Sequence, residues 1–183
     1  MAWTNADGLQ VRFGSDWASA ALRKNRIGTH NSFGAIKELE MDFDLRAIAD
    51  GDTSFSADLN NDGTLDGFYT GDVRIPANAS IREAFLVFGE TGAGGTSITV
   101  GLYQKDGTAI DADGLVTATE GVVANMVKGD KINGAGAFTA ATAGTNGIGA
   151  NDGYIGITTA GTFTGGRGKL VIRYVNTVPL PAA

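Results

Sequence analysis

The chain has 183 residues, 43% of them hydrophobic, which predicts one domain with a sizeable core and room for an appended arm. A formal charge of −6 disfavours nucleic-acid binding, and the lack of cysteine excludes disulfides and thiolate metal sites and fits a reducing cytoplasm. No apolar run approaches the roughly 18 residues of a membrane span, and the N-terminal sequence lacks the pattern of a secretory signal.

Residues 1–34 differ from the rest and are interpreted as an N-terminal arm. The alternation in GLQVRFG predicts a short strand, and the polar segment 23–34 predicts a loop or linker. The arm contains both tryptophans and has a net charge of +2, against −8 for the remainder. We expect a basic arm with aromatic anchors to contact a partner or a neighbouring subunit, through Trp3, Arg12, Phe13, Trp17, Arg23, Lys24 and Arg26.

Residues 36–45 form the clearest predicted strand. Leu39, Met41 and Phe43 alternate with Glu38, Glu40 and Asp42, which indicates one buried face and one wet, acidic face. Half of all the acids lie between residues 38 and 72, and 48–72 is predicted to be a long acidic connection.

The remaining predicted elements are mostly strands. Strands are expected at 73–75, 81–88, 97–103, 154–158 and 169–175, and a short helical turn is possible within 122–127. Turn chemistry is expected over 107–121, and the Gly/Ala/Thr-rich segment 134–149 is expected to be a loop that adds little to the core. Two prolines predict an extended tail over 177–183.

Together these elements predict an all-β protein with seven or eight strands. No long helical period separates the strands, so an antiparallel β-sandwich or jelly-roll-like domain over 35–176 is expected, following the arm at 1–34.

One motif suggests a metal. The segment DLNNDGTLD matches the first nine positions of an EF-hand or dockerin type calcium loop, with the glycine at position six. The twelfth position, where an acid is expected, is Tyr69. A glycine-turned acidic loop explains the same residues, so calcium stays a candidate at Asp58, Asn60, Asp62, Thr64 and Asp66.

Catalytic signatures are weak. GETGAGGT has the glycine spacing of a P-loop, but Gly95 occupies the lysine position, so a flexible hairpin loop is predicted. His30 is the only histidine and has no identifiable triad partners. The acids show no spacing that singles out a glycosidase pair, although such a pair stays an alternative.

The order of four segments resembles that of small β-rich virion proteins of tailed bacteriophages. The segments are GLQVRFG, IPANASIREAFLVF, GGTSITVGLY and ITTAGTFTGGRGKLVIRYV, and the resemblance covers most of residues 73–175. It implies a non-enzymatic capsid decoration (cement) protein, assembled into the virion in the host cytoplasm, or a neck or fibre component. It implies the major capsid protein as partner and a homo-oligomer, with a trimer favoured by that role and not by the sequence.

A second hypothesis comes from a different functional class. The calcium-like loop on a β-rich domain is compatible with a calcium-dependent carbohydrate-binding module. The phage hypothesis requires no cofactor, no nucleic acid and no membrane, so dependence on calcium separates the two.

Overall fold

The computed structural model describes residues 11–13, 28–33, 36–46, 73–139 and 147–176. These residues form ten strands in two sheets: β1 Val11–Phe13, β2 Gly28–Phe33, β3 Ile36–Asp44, β4 Arg74–Ile75, β5 Ala79–Gly94, β6 Ser97–Tyr103, β7 Ala109–Val116, β8 Lys131–Asn133, β9 Gly153–Ala160 and β10 Phe163–Asn176.

The sheet order is that of a jelly roll. One sheet has the order β1-β2-β3-β10-β5-β8 and the other β4-β9-β6-β7, with every pairing antiparallel. Leaving aside β1 and β2, each of the two layers has four strands, and every connection changes layer except that from β6 to β7, which pair with each other; this is the eight-strand pattern of a jelly roll. The predicted all-β sandwich of jelly-roll type is therefore confirmed.

The core lies between the two layers and follows the period of two. In β3, Leu39, Met41 and Phe43 are at most 3% exposed, as the alternation predicts. Leu86 and Phe88 of β5 face the same core. The rings of Phe43 and Phe88 meet edge to face, with centroids 5.4 Å apart and an interplanar angle of 75°.

The glycine-rich connection between β5 and β6 is a tight corner. Strand β5 continues to Gly94, and Gly94 and Gly95 have φ of 69° and 58°, so the chain turns sharply from the larger sheet into β6 of the smaller sheet. A Cβ on Gly95 would overlap the ring of Phe163, which is buried. The predicted hairpin with a long flexible glycine loop was wrong, because β5 and β6 belong to different sheets and the loop residues extend β5 and pair with β10.

Strand β7 departs from regular pairing with β6. Between the pairs Val100–Val116 and Leu102–Asp111, β6 advances by two residues and β7 by five. The extra residues form a large bulge whose backbone crosses Gly101, since a Cβ there would overlap the carbonyl groups of Asp111 and Ala112.

Three other sequence predictions were wrong. Residues 109–116 form β7 where turns were expected, and 28–33 form β2 where a linker was expected. Phe138 and Ile148, from the segment expected to add little to the core, are 6% and 3% exposed. The helical turn foreseen within 122–127 exists as a 3-10 turn, Val123–Asn125.

The N-terminal arm of the prediction contains two strands of the larger sheet. β2 pairs with β3 along its whole length, from Phe33 opposite Ile36 to Gly28 opposite Met41. β1 then pairs with β2 and lies at the edge of the sheet. The expected strand within GLQVRFG is therefore present, and the backbone ties this part of the arm to the domain.

Candidate functional site

The structure places two of the seven predicted contact residues. Arg12 and Phe13 belong to β1, the outermost strand of the larger sheet. The other five, Trp3, Trp17, Arg23, Lys24 and Arg26, lie outside the described residues. The calcium candidates, Asp58, Asn60, Asp62, Thr64 and Asp66, also lie outside them.

The most organised polar surface among the described residues is the outer side of the larger sheet, here called the charged face. Its acids come from β3 and β5, and its bases come mainly from β10. Antiparallel pairing sets Arg173 opposite Glu38 and Lys169 opposite Asp42, because paired residues project to the same side.

Two basic side chains of β10 each bridge two carboxylates. Arg173 Nε lies 2.7 Å from Glu38 Oε2, and its Nη1 lies 3.0 Å from Glu83 Oε2. Lys169 Nζ lies 3.2 Å from Glu40 Oε2 and 3.5 Å from Asp42 Oδ1. These contacts tie β10 to both of its neighbours, β3 and β5.

A second group of charges closes one end of the charged face. Arg167 Nε lies 2.8 Å from Asp44 Oδ2 and 3.3 Å from Glu90 Oε2, and Arg46 Nη2 contacts the same two acids at 3.1 and 3.3 Å. Burial opposes ionisation of Asp44, but hydrogen bonds from Arg46 and the two guanidinium charges outweigh it and lower the pKa of Asp44.

Strand β8 joins the charged face through Lys131. Its Nζ lies 2.9 Å from Glu83 Oε1 and 4.0 Å from the centroid of the Phe85 ring. The hydrogen bond from Lys131, aided by the charges of Lys131 and Arg173, lowers the pKa of Glu83. Ion pairs thus connect four adjacent strands, β3, β10, β5 and β8.

The acidic and basic side chains of the charged face neutralise each other. Its basic groups are already engaged with carboxylates of the same face, so it presents no basic patch of the kind that binds phosphate. The side chains are substantially exposed, for example Arg167 at 60% and Lys169 at 54%, so each pair adds little stability. We interpret the charged face as a device that fixes strand register.

The bulged strand β7 contains an acid whose pKa is raised. Burial and a side-chain hydrogen bond with Asp113 raise the pKa of Asp111, on the bulged strand β7. The amide of Asp113 donates to Asp111 Oδ1 at 3.3 Å, so the backbone of the bulge holds the Asp111 carboxylate close to Asp113.

Neither a metal cluster nor a membrane-spanning helix occurs in the described part of the chain. No group of three or more His, Asp or Glu side chains could hold an ion there, and no helix is long and apolar enough to cross a bilayer. In comparisons with known proteins, no family model, curated protein or solved structure matches the chain.

Proposed function

We propose that the chain is a structural protein of a bacteriophage virion, a capsid decoration protein that binds and stabilises the head shell through its N-terminal arm. The observation that supports this most is the jelly-roll strand order, since domains of this topology are widely used in viral capsids. Because the same fold also occurs in lectins and enzymes, the phage assignment additionally depends on the order of the four resembling segments.

The arm is suited to docking because two of its segments, β1 and β2, are held in the larger sheet. β1 and β2 extend the larger sheet beyond β3 by backbone pairing, so the chain leaves the domain at a defined edge. The basic side chains of the charged face form ion pairs with acids of the same face, so we expect a partner to bind other parts of the molecule. In this proposal the tryptophans of the arm supply the anchors and its basic residues supply attraction to an acidic shell.

Binding to purified phage heads that lack the protein tests the proposal. Deleting residues 1–34 would also remove β1 and β2 and expose the edge of β3, so substitutions are the cleaner perturbation. A double variant, Trp3→Ala with Trp17→Ala, is expected to weaken co-sedimentation with heads by about 30-fold, the effect of losing roughly 2 kcal/mol at an anchor.

A matched control separates docking from folding. Arg82→Gln removes an exposed side chain of β5 that lies outside the arm, so the variant should bind heads like the unmodified chain. Both variants should keep the thermal midpoint of the unmodified protein. Normal decoration by the tryptophan variant would refute docking through the arm, and binding to necks or fibres in place of heads would refute the decoration role.

A further inference from the structure

We propose that a cleft at one end of the sandwich, here called the end cleft, binds a neutral saccharide unit without a metal ion. The end cleft has a volume of about 570 Å³ and lies where the β4–β5 turn, the β6–β7 turn and the segment before β9 meet. This proposal does not depend on the proposed virion function, because it uses neither the arm nor the charged face.

The walls of the end cleft are held in place by hydrogen bonds between segments distant in sequence. The amide of Ala77 donates to Asp152 Oδ1 at 2.9 Å, and the amide of Asn78 donates to the carbonyl of Gly149 at 2.7 Å. Asn78 adopts a φ of 60°, which turns the chain sharply between β4 and β5. A local bond holds the β6–β7 turn, where the amide of Gln104 donates to the Thr108 carbonyl at 2.7 Å.

Arg74 is positioned within this frame. Its Nη1 lies 3.4 Å from Asp152 Oδ2 and 3.5 Å from the hydroxyl of Tyr154. The hydrogen bond with Tyr154 and the charge of Asp152 outweigh desolvation and raise the pKa of Arg74, which stays a cation. Both contacts use one of the three guanidinium nitrogens, and the side chain is 45% exposed at the cleft.

The composition of the lining selects the class of ligand. Two cations, Arg74 and Lys105, balance two anions, Asp106 and Asp152, so the end cleft offers charged donors and acceptors without net charge. Gln104 and Asn151 add amides, each of which both donates and accepts. A neutral saccharide matches this mixture, since each of its hydroxyl groups donates and accepts. A simple anion would be repelled by the two aspartates, and a simple cation would be repelled by the two basic side chains.

A glycan array followed by amide-resolved NMR titration tests the inference. The array should carry neutral, N-acetylated and acidic units, and binding should persist in the presence of a chelator. Titration with the neutral units that bind should shift the amide resonances of Ala77 and Asp152. Arg74→Gln should weaken binding by about tenfold, the effect of losing a hydrogen bond from a charged donor.

Matched variants keep the result interpretable if Arg74→Gln alters the fold. Lys105→Gln, whose side chain is exposed, should also weaken binding, while Lys128→Gln, outside the end cleft, should not. Absence of binding to any glycan, binding only to acidic units, loss of binding with a chelator, or equal binding by all variants would each overturn the inference.

Discussion

Gly101 offers a direct test of the packing of the bulged strand. A Cβ on this residue would approach the carbonyl groups of Asp111 and Ala112 well inside the 3.0 Å that real Cβ atoms keep. Both obstacles are backbone groups, which cannot rotate away as a flexible side chain would. The variant Gly101→Ala must therefore displace β7 or distort β6.

The size of the effect follows from known costs of overpacking. Such insertions cost about 1–3 kcal/mol, and the rigid backbone neighbours place this one near 3 kcal/mol. In a domain of this size, each kcal/mol lowers the thermal midpoint by roughly 2–4 °C, so we expect Gly101→Ala to melt roughly 6–12 °C below the unmodified chain.

Gly89→Ala is the matched control. Gly89 is exposed on β5, and the nearest atom to an added Cβ, the carbonyl oxygen of Arg167, would be 3.8 Å away. Its effect should stay within about 1 kcal/mol, since the gain from a less flexible unfolded chain is of that order. The assay is calorimetric melting of both variants. A midpoint for Gly101→Ala within about 2 °C of the unmodified protein would refute the crossing of β7 over Gly101.

Four further predictions concern stability. Asp44 and Glu83 have lowered pKa values, so the small stability that they add is present above their ordinary values of 3.8 and 4.5 and is lost as the pH falls below them. Urea midpoints should drop only slightly there, and NMR titration of both carboxyl groups at their ordinary values would contradict the ion-pair geometry. Burial raises the pKa of Tyr174 from 10.0 to about 12, so the unfolded state ionises first and stability should fall as the pH rises above 10. Absorbance at alkaline pH should include a late tyrosine ionisation that is absent in Tyr174→Phe. Phe138→Ala should cost about 3 kcal/mol in chemical denaturation, whereas Val127→Ala, at a 44% exposed site, should be nearly neutral; equal effects would contradict the burial of Phe138. The virion proposal requires no cofactor, so calcium should leave the thermal midpoint unchanged. A midpoint that rises and saturates with calcium would instead favour the carbohydrate-module hypothesis.

Strands with a strict period of two were predictable from sequence. In β3 and β6, apolar residues alternate with polar ones, and β6 coincides with the predicted 97–103. Strand β7 was missed because its sequence, AIDADGLV, contains a turn dipeptide and two acids. Pairing with β6 overrides that local preference, as β-propensity is strongly dependent on context.

The charged face was half predictable. The wet, acidic side of β3 was expected from the alternation, but its basic partners were not. Lys169 bonds Glu40 across 129 residues of sequence, and Arg173 bonds Glu38 across 135. Pairing at that distance is set by which strands become neighbours, and local pattern does not specify the neighbours.

The end cleft had no sequence signal. Arg74 belongs to β4, Gln104 to the β6–β7 turn and Asp152 to the segment before β9, and the jelly-roll topology brings these three places to one end of the sandwich. Each residue alone is typical of a solvated turn. Recognising them together would have required the strand order in advance.

Mass spectrometry of purified virions tests the central proposal most directly. If the proposal is right, a phage genome encodes the chain, and the virions to analyse are those of that phage. A decoration protein should be present in a fixed, high ratio to the major capsid protein. Variants that lack arm contacts should be released from the heads more readily than the unmodified chain. Absence of the chain from particles, or a copy number matching a single neck or fibre, would contradict the account.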